Sequence, residues 1–476
     1  MKLSSPQAVP RHCSAEPKSC HGVSVVVLWV AALLSVWASN AVAVEYSIAS
    51  EYDLVGRYHD NYRLTFQPRS RFDELHGGDF KANWFLRRNS ERDALSWSLA
   101  MDAGAYKLDE FNTVDGRTRL SYRRSGQKGN WNVYGGYNYD STRITEETVE
   151  GSGLFGVEDT RTRVATAGAG WFRQLSEKNT LNFNVGATVR TYDTDQLADF
   201  EYIDGSLLWQ YFTSNRMRLQ TRLGQTWFDS EDDSNVTLSP FWIDPSISSF
   251  TADEVDATRF VCVNFPELLD LSTGYECTHA VTIDNEQYTT SLQVGVLYAL
   301  TPQLTLDVLV GMSYLDTDLG RSYSNIEPTA FQLPPDENID GTNTNTTYAV
   351  TLEYDAERLD YTLSANSRES ANSAGALTLN TRVAFDVHWR IAHRSRTHFE
   401  LSWFEQETAT EEDITLRRRQ LSRAQWQYFY KLNEHWTVGA EYRYYKQELL
   451  DFDDHADGNE VLLHLKWNPQ PKNWSR

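Results

Sequence analysis

A chain of 476 residues with 66 acidic and 44 basic side chains carries a formal charge of −22. That charge repels polyanions and excludes a general nucleic-acid-binding role. Hydrophobic residues make up 40% of the chain and its mean hydropathy is negative, which excludes a bundle of membrane-spanning helices.

The first feature in chain order is VSVVVLWVAALLSVW, residues 23–37. This apolar run is shorter than the roughly 18–20 residues of a spanning helix. Lys2, Arg11 and Lys18 precede it, and Ala41-Val42-Ala43 follows. That is the layout of a secretory signal cut after Ala43, with a retained inner-membrane anchor as the alternative. The expected mature chain is one domain over 44–476.

A period-two pattern starts soon afterwards. In ALSWSLAMDAGAY, Leu95, Trp97, Leu99, Met101 and Ala103 fall on one face, with Ser96, Ser98, Ala100, Asp102 and Gly104 on the other. TLNFNVGATVRTY sets Leu181, Phe183, Val185, Ala187 and Val189 against Asn182, Asn184, Gly186, Thr188 and Arg190. RMRLQTRLGQTW repeats it, with Met217, Leu219, Leu223 and Trp227 opposite Arg218, Gln220 and Arg222. ALTLNTRVAFDVHWRI sets Leu377, Leu379, Val383, Phe385, Val387, Trp389 and Ile391 against Thr378, Asn380, Arg382, Asp386, His388 and Arg390. HWTVGAEYRYY sets Trp436, Val438, Ala440, Tyr442 and Tyr444 against Thr437, Gly439, Glu441 and Arg443. Such alternation predicts strands with one apolar and one polar face. The segments run longer than the 5–6 residues usual in soluble strands. They match the roughly 9–11 residues of a tilted membrane-crossing strand.

The connections point the same way. Short turns are expected at NSERD (89–93), GQKG (126–129), SEKN (176–179), TSN (213–215), TPQ (301–303), AER (356–358), AHRS (392–395) and NEH (433–435). Longer linkers, including 229–285 and 317–343, lie between them. Short turns alternating with long loops predict an all-β, transmembrane, up-and-down antiparallel barrel of about 18 strands, with 16 as the alternative. Both termini then fall on the short-turn side. Aromatic residues gather near strand ends, among them Trp171, Trp209, Trp227, Trp403, Tyr428 and Tyr442, as girdles at the two membrane interfaces would. The chain closes on GNEVLLHLKWNPQPKNWSR, an alternating strand ending in Trp467 with nine residues after it.

Acidic runs at 146–159, 229–235 and 451–458 read as solvated loops, with divalent-cation binding beside anionic lipid as the alternative. Cys262 and Cys277, the cysteines that would survive signal removal, predict a loop disulfide in an oxidising compartment. Closing that loop of roughly 15 residues stabilises by roughly 3 kcal/mol in the chain-entropy model.

Several stretches together resemble a known family. DNYRLTF (60–66), NWNVYGGYNYDSTRITEETVEGSG (130–153), YDAERLDYTLSANSRESANSAGALTLNTRVAFDVHWRI (354–391) and LLHLKWNP (462–469) resemble predicted outer-membrane β-barrels associated with exopolysaccharide gene clusters and the PEP-CTERM/exosortase system of Gram-negative bacteria. The resemblance spans essentially the whole mature chain, on short architectural motifs. The family commonly has proline after asparagine where this chain has Asn61-Tyr62. The resemblance implies location and fold, a link to polysaccharide export, and no catalytic residue.

The chemistry-bearing residues sit on the polar faces. Arg119, Arg123, Arg190, Arg218, Arg222, Arg382, Arg390, Arg423 and Arg443 are assigned to the lumen, with Asp102, Asp204, Asp360, Asp386, Glu400 and Glu441. His388, His398 and His464 share that face and read as pore-lining polar groups. No G-x-S-x-G, H-E-x-x-H or consistent Ser/His/Asp spacing occurs, so no enzyme, cofactor or metal site is expected. The expected role is a porin-like diffusion channel for small hydrophilic solutes, with 229–285 as the constriction. A non-conducting surface or scaffold barrel is the alternative, and a barrel hydrolase ranks below it. Expected partners are outer-membrane lipid and lipopolysaccharide, the barrel-assembly machinery, and polysaccharide or its export components. A homo-oligomer is open; nucleic acid is excluded.

Overall fold

Alternating apolar and polar residues become strands because successive side chains of an extended chain point to opposite faces. The computed structural model describes residues 44–60, 74–107, 111–141, 160–193, 198–238, 277–327, 337–371, 377–408, 419–449 and 454–475. The expected signal, residues 1–43, lies outside the described residues. The first nine strands are β1 (Glu45–His59), β2 (Leu75–Asn89), β3 (Asp93–Tyr106), β4 (Thr113–Ser125), β5 (Gly129–Ser141), β6 (Arg161–Ser176), β7 (Asn179–Tyr192), β8 (Asp199–Phe212) and β9 (Met217–Leu238). The next nine are β10 (Cys277–Ala299), β11 (Leu304–Glu327), β12 (Glu337–Asp355), β13 (Leu359–Ala371), β14 (Leu377–Ala392), β15 (Ser395–Thr408), β16 (Arg419–Lys431), β17 (Trp436–Leu449) and β18 (Asp454–Trp467). A short β19 (Lys472–Ser475) follows.

Each strand pairs antiparallel with its chain neighbours. β1 also pairs with β18, from Tyr52↔Trp467 to His59↔Glu460. The sheet is therefore a closed barrel of 18 strands. Pro469 and Pro471 interrupt the last strand, since proline brings no N–H to a ladder. Pairing with β1 resumes in β19, from Ile48↔Lys472 to Glu45↔Ser475. The residues after Trp467 thus complete the seam, and Trp474 stacks on Tyr46 at 5.4 Å.

All eight short turns fall between the expected strands. Local side chains shape several of them. Ser214 Oγ accepts from the N–H of Met217 (3.1 Å), Thr301 Oγ1 from Leu304 (3.0 Å), and Asn433 Oδ1 from Trp436 (2.9 Å). These bonds fold the chain back before the next strand begins. The opposite rim differs from expectation, because β9, β10 and β11 run to 22, 23 and 24 residues. Stretches 229–238, 277–285 and 317–327, read as loop from their polarity, continue the ladder instead.

The two faces separate cleanly. Leu463 is 61% exposed while its neighbour Leu462 is 1% exposed. In a closed sheet, one of these faces points outside and the other inside. The outward set includes Leu54, Trp97, Leu99, Met101, Phe183, Leu223, Val310, Met312, Leu401 and Trp426, all exposed. The inward set is rich in buried polar groups such as Asp53, Asp79, Gln220, Thr347, Gln425, Glu441 and Glu460. A greasy exterior around a polar interior inverts the arrangement of a soluble protein and matches a wall set in hydrocarbon. One close approach is glycine-dependent: a Cβ on Gly168 would lie 2.4 Å from the Tyr134 hydroxyl oxygen, because that ring covers the glycine.

Val185 and Asn184 are adjacent, midway along β7, and point to opposite faces. Val185→Arg is expected to lower folding stability by about 2–4 kcal/mol, and Asn184→Arg by about 0–0.5 kcal/mol. Denaturant titration of the barrel refolded into lipid vesicles measures both.

Candidate functional site: the barrel lumen

The barrel seam carries a continuous chain of inward charges. Lys466 Nζ lies 3.6 Å from Asp53, which meets His464 Nδ1 at 3.0 Å, and His464 Nε2 reaches Glu441 at 3.2 Å. Arg443 joins Glu441 to Glu460, the latter at 3.0 Å. Arg57 then joins Glu460 (3.3 Å) to Asp79 (3.2 Å), and the Tyr106 hydroxyl donates to Asp79. This chain crosses β17, β18, β1, β2 and β3. Glu460, Glu441 and Asp79 are almost fully buried within it. At the long-loop end, Asp60 Oδ1 accepts from the Asn459 N–H at 2.6 Å. Charges so covered are tolerated because each has an opposite partner.

Arginine pairs also occupy the long-loop ends of β4–β7. Arg117 meets Asp140 at 2.9 Å, Arg161 meets Asp115 at 2.8 Å, and Arg163 meets Asp193 at 2.7 Å. None of these appears among the residues singled out from sequence, and neither do Arg57, Asp79 and Glu460. The available signal was alternation within DLVGRYH, which puts Asp53, Arg57 and His59 on one face.

The arginines that were singled out stand in varied company. Arg119 stands over the Tyr134 ring (5.3 Å), Arg190 over Phe200 (5.3 Å) and Arg218 over Phe212 (4.4 Å). Arg423 donates to Gln425 and stands 5.7 Å over Tyr445. Arg382 lies 3.6 Å from Glu400. Arg222 stands opposite Leu208 and Gln293, and Arg123 opposite Ala94 and Asn132. Arg390, near the short-turn end of β14, is exposed. Asp386 lies within reach of His388 and His398. Cys262 lies outside the described residues, and the expected disulfide with it.

At the long-loop end, the described ends of β13 and β14 contact strands beyond their ladder neighbours. Leu377, at the first position of β14, is buried against Tyr192, Phe200, Phe228 and Leu315, with Tyr202 alongside. Those residues belong to β7, β8, β9 and β11. Its N–H donates to Gln287 Oε1 on β10 at 2.9 Å. Glu369, at the end of β13, accepts from Ser313 (2.5 Å) and Asn345 (2.9 Å). In the ladder β14 touches β13 and β15. Five ladder steps of about 4.8 Å separate β14 from β9. Contact across that distance requires the hairpin to leave the wall and lie inside. Leu377 is therefore a correction: its parity groups it with lipid-facing Val383, yet it is 2% exposed and packs in the lumen. The expected constriction at 229–285 is described only at its ends. Its described ends are paired wall strands, and 239–276 lie outside the described residues.

No family model and no curated protein matches this chain. Among solved structures, it is similar to the ferric yersiniabactin uptake receptor FyuA of Yersinia pestis, with 7% identity and a TM-score of 0.44. That match covers 85% of this chain and 62% of the receptor. The ferric citrate transporter FecA gives 10% identity and a TM-score of 0.43, over 87% of this chain and 63% of the transporter. OccAB3 of Acinetobacter baumannii gives 10% identity and a TM-score of 0.38, over 90% of this chain and 99% of that one. The chain thus spans less than two thirds of the two receptor-sized barrels.

Glu460→Gln keeps the side-chain shape but removes the anion between Arg57 and Arg443. The expected loss is about 3 kcal/mol, because two covered cations lose their shared partner. Urea-dependent unfolding in lipid vesicles, compared with the wild type, reads it directly.

Proposed function

We propose that the protein is an outer-membrane, porin-like channel for passive passage of small hydrophilic solutes. The supporting observation is a polar, charged lumen narrowed by the β13–β14 hairpin, whose Leu377 reaches the inward aromatic residues of β7, β8 and β9. A wall of 18 strands is wide enough to enclose water, so an inward element, rather than the wall, sets the size limit. Fixed charges along the path, Arg222, Arg382 and Arg390 among them, bias which solutes enter. In this reading the barrel sits among lipopolysaccharide and phospholipid after insertion by the barrel-assembly machinery. The link to exopolysaccharide export rests on the resemblance of residues 60–66, 130–153, 354–391 and 462–469.

The same hairpin contact favours a second reading: a barrel shut by its own hairpin, serving as a surface or scaffold element. Planar-bilayer recording separates the two. The channel reading expects unitary steps of fixed size from the wild type. Replacing residues 372–376 by two glycines together with Leu377→Asn is expected to raise that step by about twofold or more, since an inward constriction limits the current. A silent wild type that conducts in this variant supports the shut barrel. Silence from both, in correctly folded protein, overturns the channel.

A further inference from the structure

Near the short-turn rim, on the wall of β13–β15, three side chains form a group outside the seam network and outside the constriction. His388 on β14 and His398 on β15 are directly opposed in the ladder. Their rings stack with centroids 4.2 Å apart and planes 9° apart. Asp386, two residues before His388 and therefore on the same face, spans both. One carboxylate oxygen lies 3.1 Å from His388 Nε2 and the other 2.7 Å from His398 Nε2. One ligand atom from each residue falls within 4.8 Å of the other two.

We propose that Asp386, His388 and His398 form a binding site for a divalent transition-metal ion of the zinc class, open to the lumen. Two imidazole nitrogens and one carboxylate oxygen suit zinc, copper or nickel, whereas calcium and magnesium take oxygen donors. Zinc sits about 2.0–2.2 Å from such atoms, so its ligand atoms come to rest about 3.3 Å apart in a tetrahedral site. The two nitrogen–oxygen separations are already close to that spacing. The two rings reach it by side-chain rotation, with the backbone held by the ladder.

Three neighbouring observations point to a cation. Asp360 on β13 stands directly opposite His388, and its Oδ1 is buried and makes no hydrogen bond. Asp386 stands directly opposite Glu400, and opposed like charges on one face destabilise a sheet. Arg382 lies beside Glu400 at 3.6 Å, leaving Asp386 to the two imidazoles. The Gln427 side-chain amide lies 3.4 Å from His398 Nδ1, the outer contact that orients a ligating ring. His388 has a 60% exposed side chain, so an ion in lumenal water reaches the site without any opening of the wall. Among nearby cations, Arg396 is drawn aside over the Phe429 ring at 5.2 Å. Arg390 lies two residues further toward the turn.

The test is calorimetric titration of the tag-free, detergent-solubilised full barrel with zinc chloride. About one equivalent per chain is expected. His388→Ala, at an exposed position that leaves folding intact, is expected to weaken binding by at least about tenfold, since even outer-shell changes cost 10–100-fold. His398→Ala is expected to match it, while His435→Ala, at another short turn, leaves the affinity unchanged. Copper(II) loaded at the same site should show nitrogen hyperfine splitting that is lost in His388→Ala. Absence of saturable zinc binding, or binding unaltered by His388→Ala, overturns the proposal. This readout needs no conduction, so a barrel that proves silent in bilayers still tests the site.

Discussion

The constraint beneath the whole structure is that hydrocarbon offers no hydrogen bonds to a peptide group. A sheet in lipid cannot leave an edge, so the first strand must find the last. Here that meeting is the β1–β18 ladder, extended past two prolines by β19. The rest follows from closure. Side chains alternate strictly between outside and inside, and the inside becomes the place where charge is allowed. The seam is also where the charge is densest. Asp53, Arg57, Glu441, Arg443, Glu460 and His464 link strands from the two ends of the chain. A ladder of backbone bonds tolerates slippage by two residues at modest cost to its alternation. The ion pairs across the seam add side-chain contacts to the register that the backbone ladder sets.

A wall of this kind specifies an enclosure but no selectivity. In the proposed channel, selectivity comes from whatever departs from the wall's regularity, and in this chain that is the β13–β14 hairpin. On its flanking strands, Leu377 packs with Phe228 and Leu315 and donates to Gln287, and Glu369 accepts from Ser313 and Asn345. Gln287 and Ser313 belong to β10 and β11, beyond the hairpin's direct neighbour β12, while Asn345 belongs to β12 itself.

Much of this was legible in the sequence, for physical reasons. Membrane-spanning residues must alternate, so segments such as 180–192 announced both strand and face. The eight short turns were readable because Ser, Thr, Asn and Gly stop the alternation and bend the chain locally. Legibility failed where lipid no longer imposes the pattern. DSEDDSN carries no apolar stripe, yet Asp229 to Asn235 pair with Ala280 to Glu286 as regular ladder. Leu377 misled in the opposite sense: its parity is that of a lipid-facing residue, and nothing local shows that the hairpin bends inward. The Asp386–His388–His398 group needed the register, since residues twelve apart become neighbours only once β14 and β15 are aligned.

The sorting of connections carries a consequence for how such a molecule reaches its resting place. Every short turn, together with Glu45 and Ser475, lies on one side, and the strand ends joined by the long connections lie on the other. Among the described residues, the strand ends that the long connections join also hold Asp60, Asp140 and Asp193, and the acidic stretch 146–159 and residues 451–453 belong to those connections. If the chain arrives from the short-turn side, nine polar tips must traverse the bilayer, and each bare carboxylate resists that passage strongly. Paired hairpins carry their backbone bonds with them, and a partly assembled ring gives the acidic tips a watery path on its concave face. The asymmetry of the two rims thus sets which rim's acidic connections carry the cost of crossing.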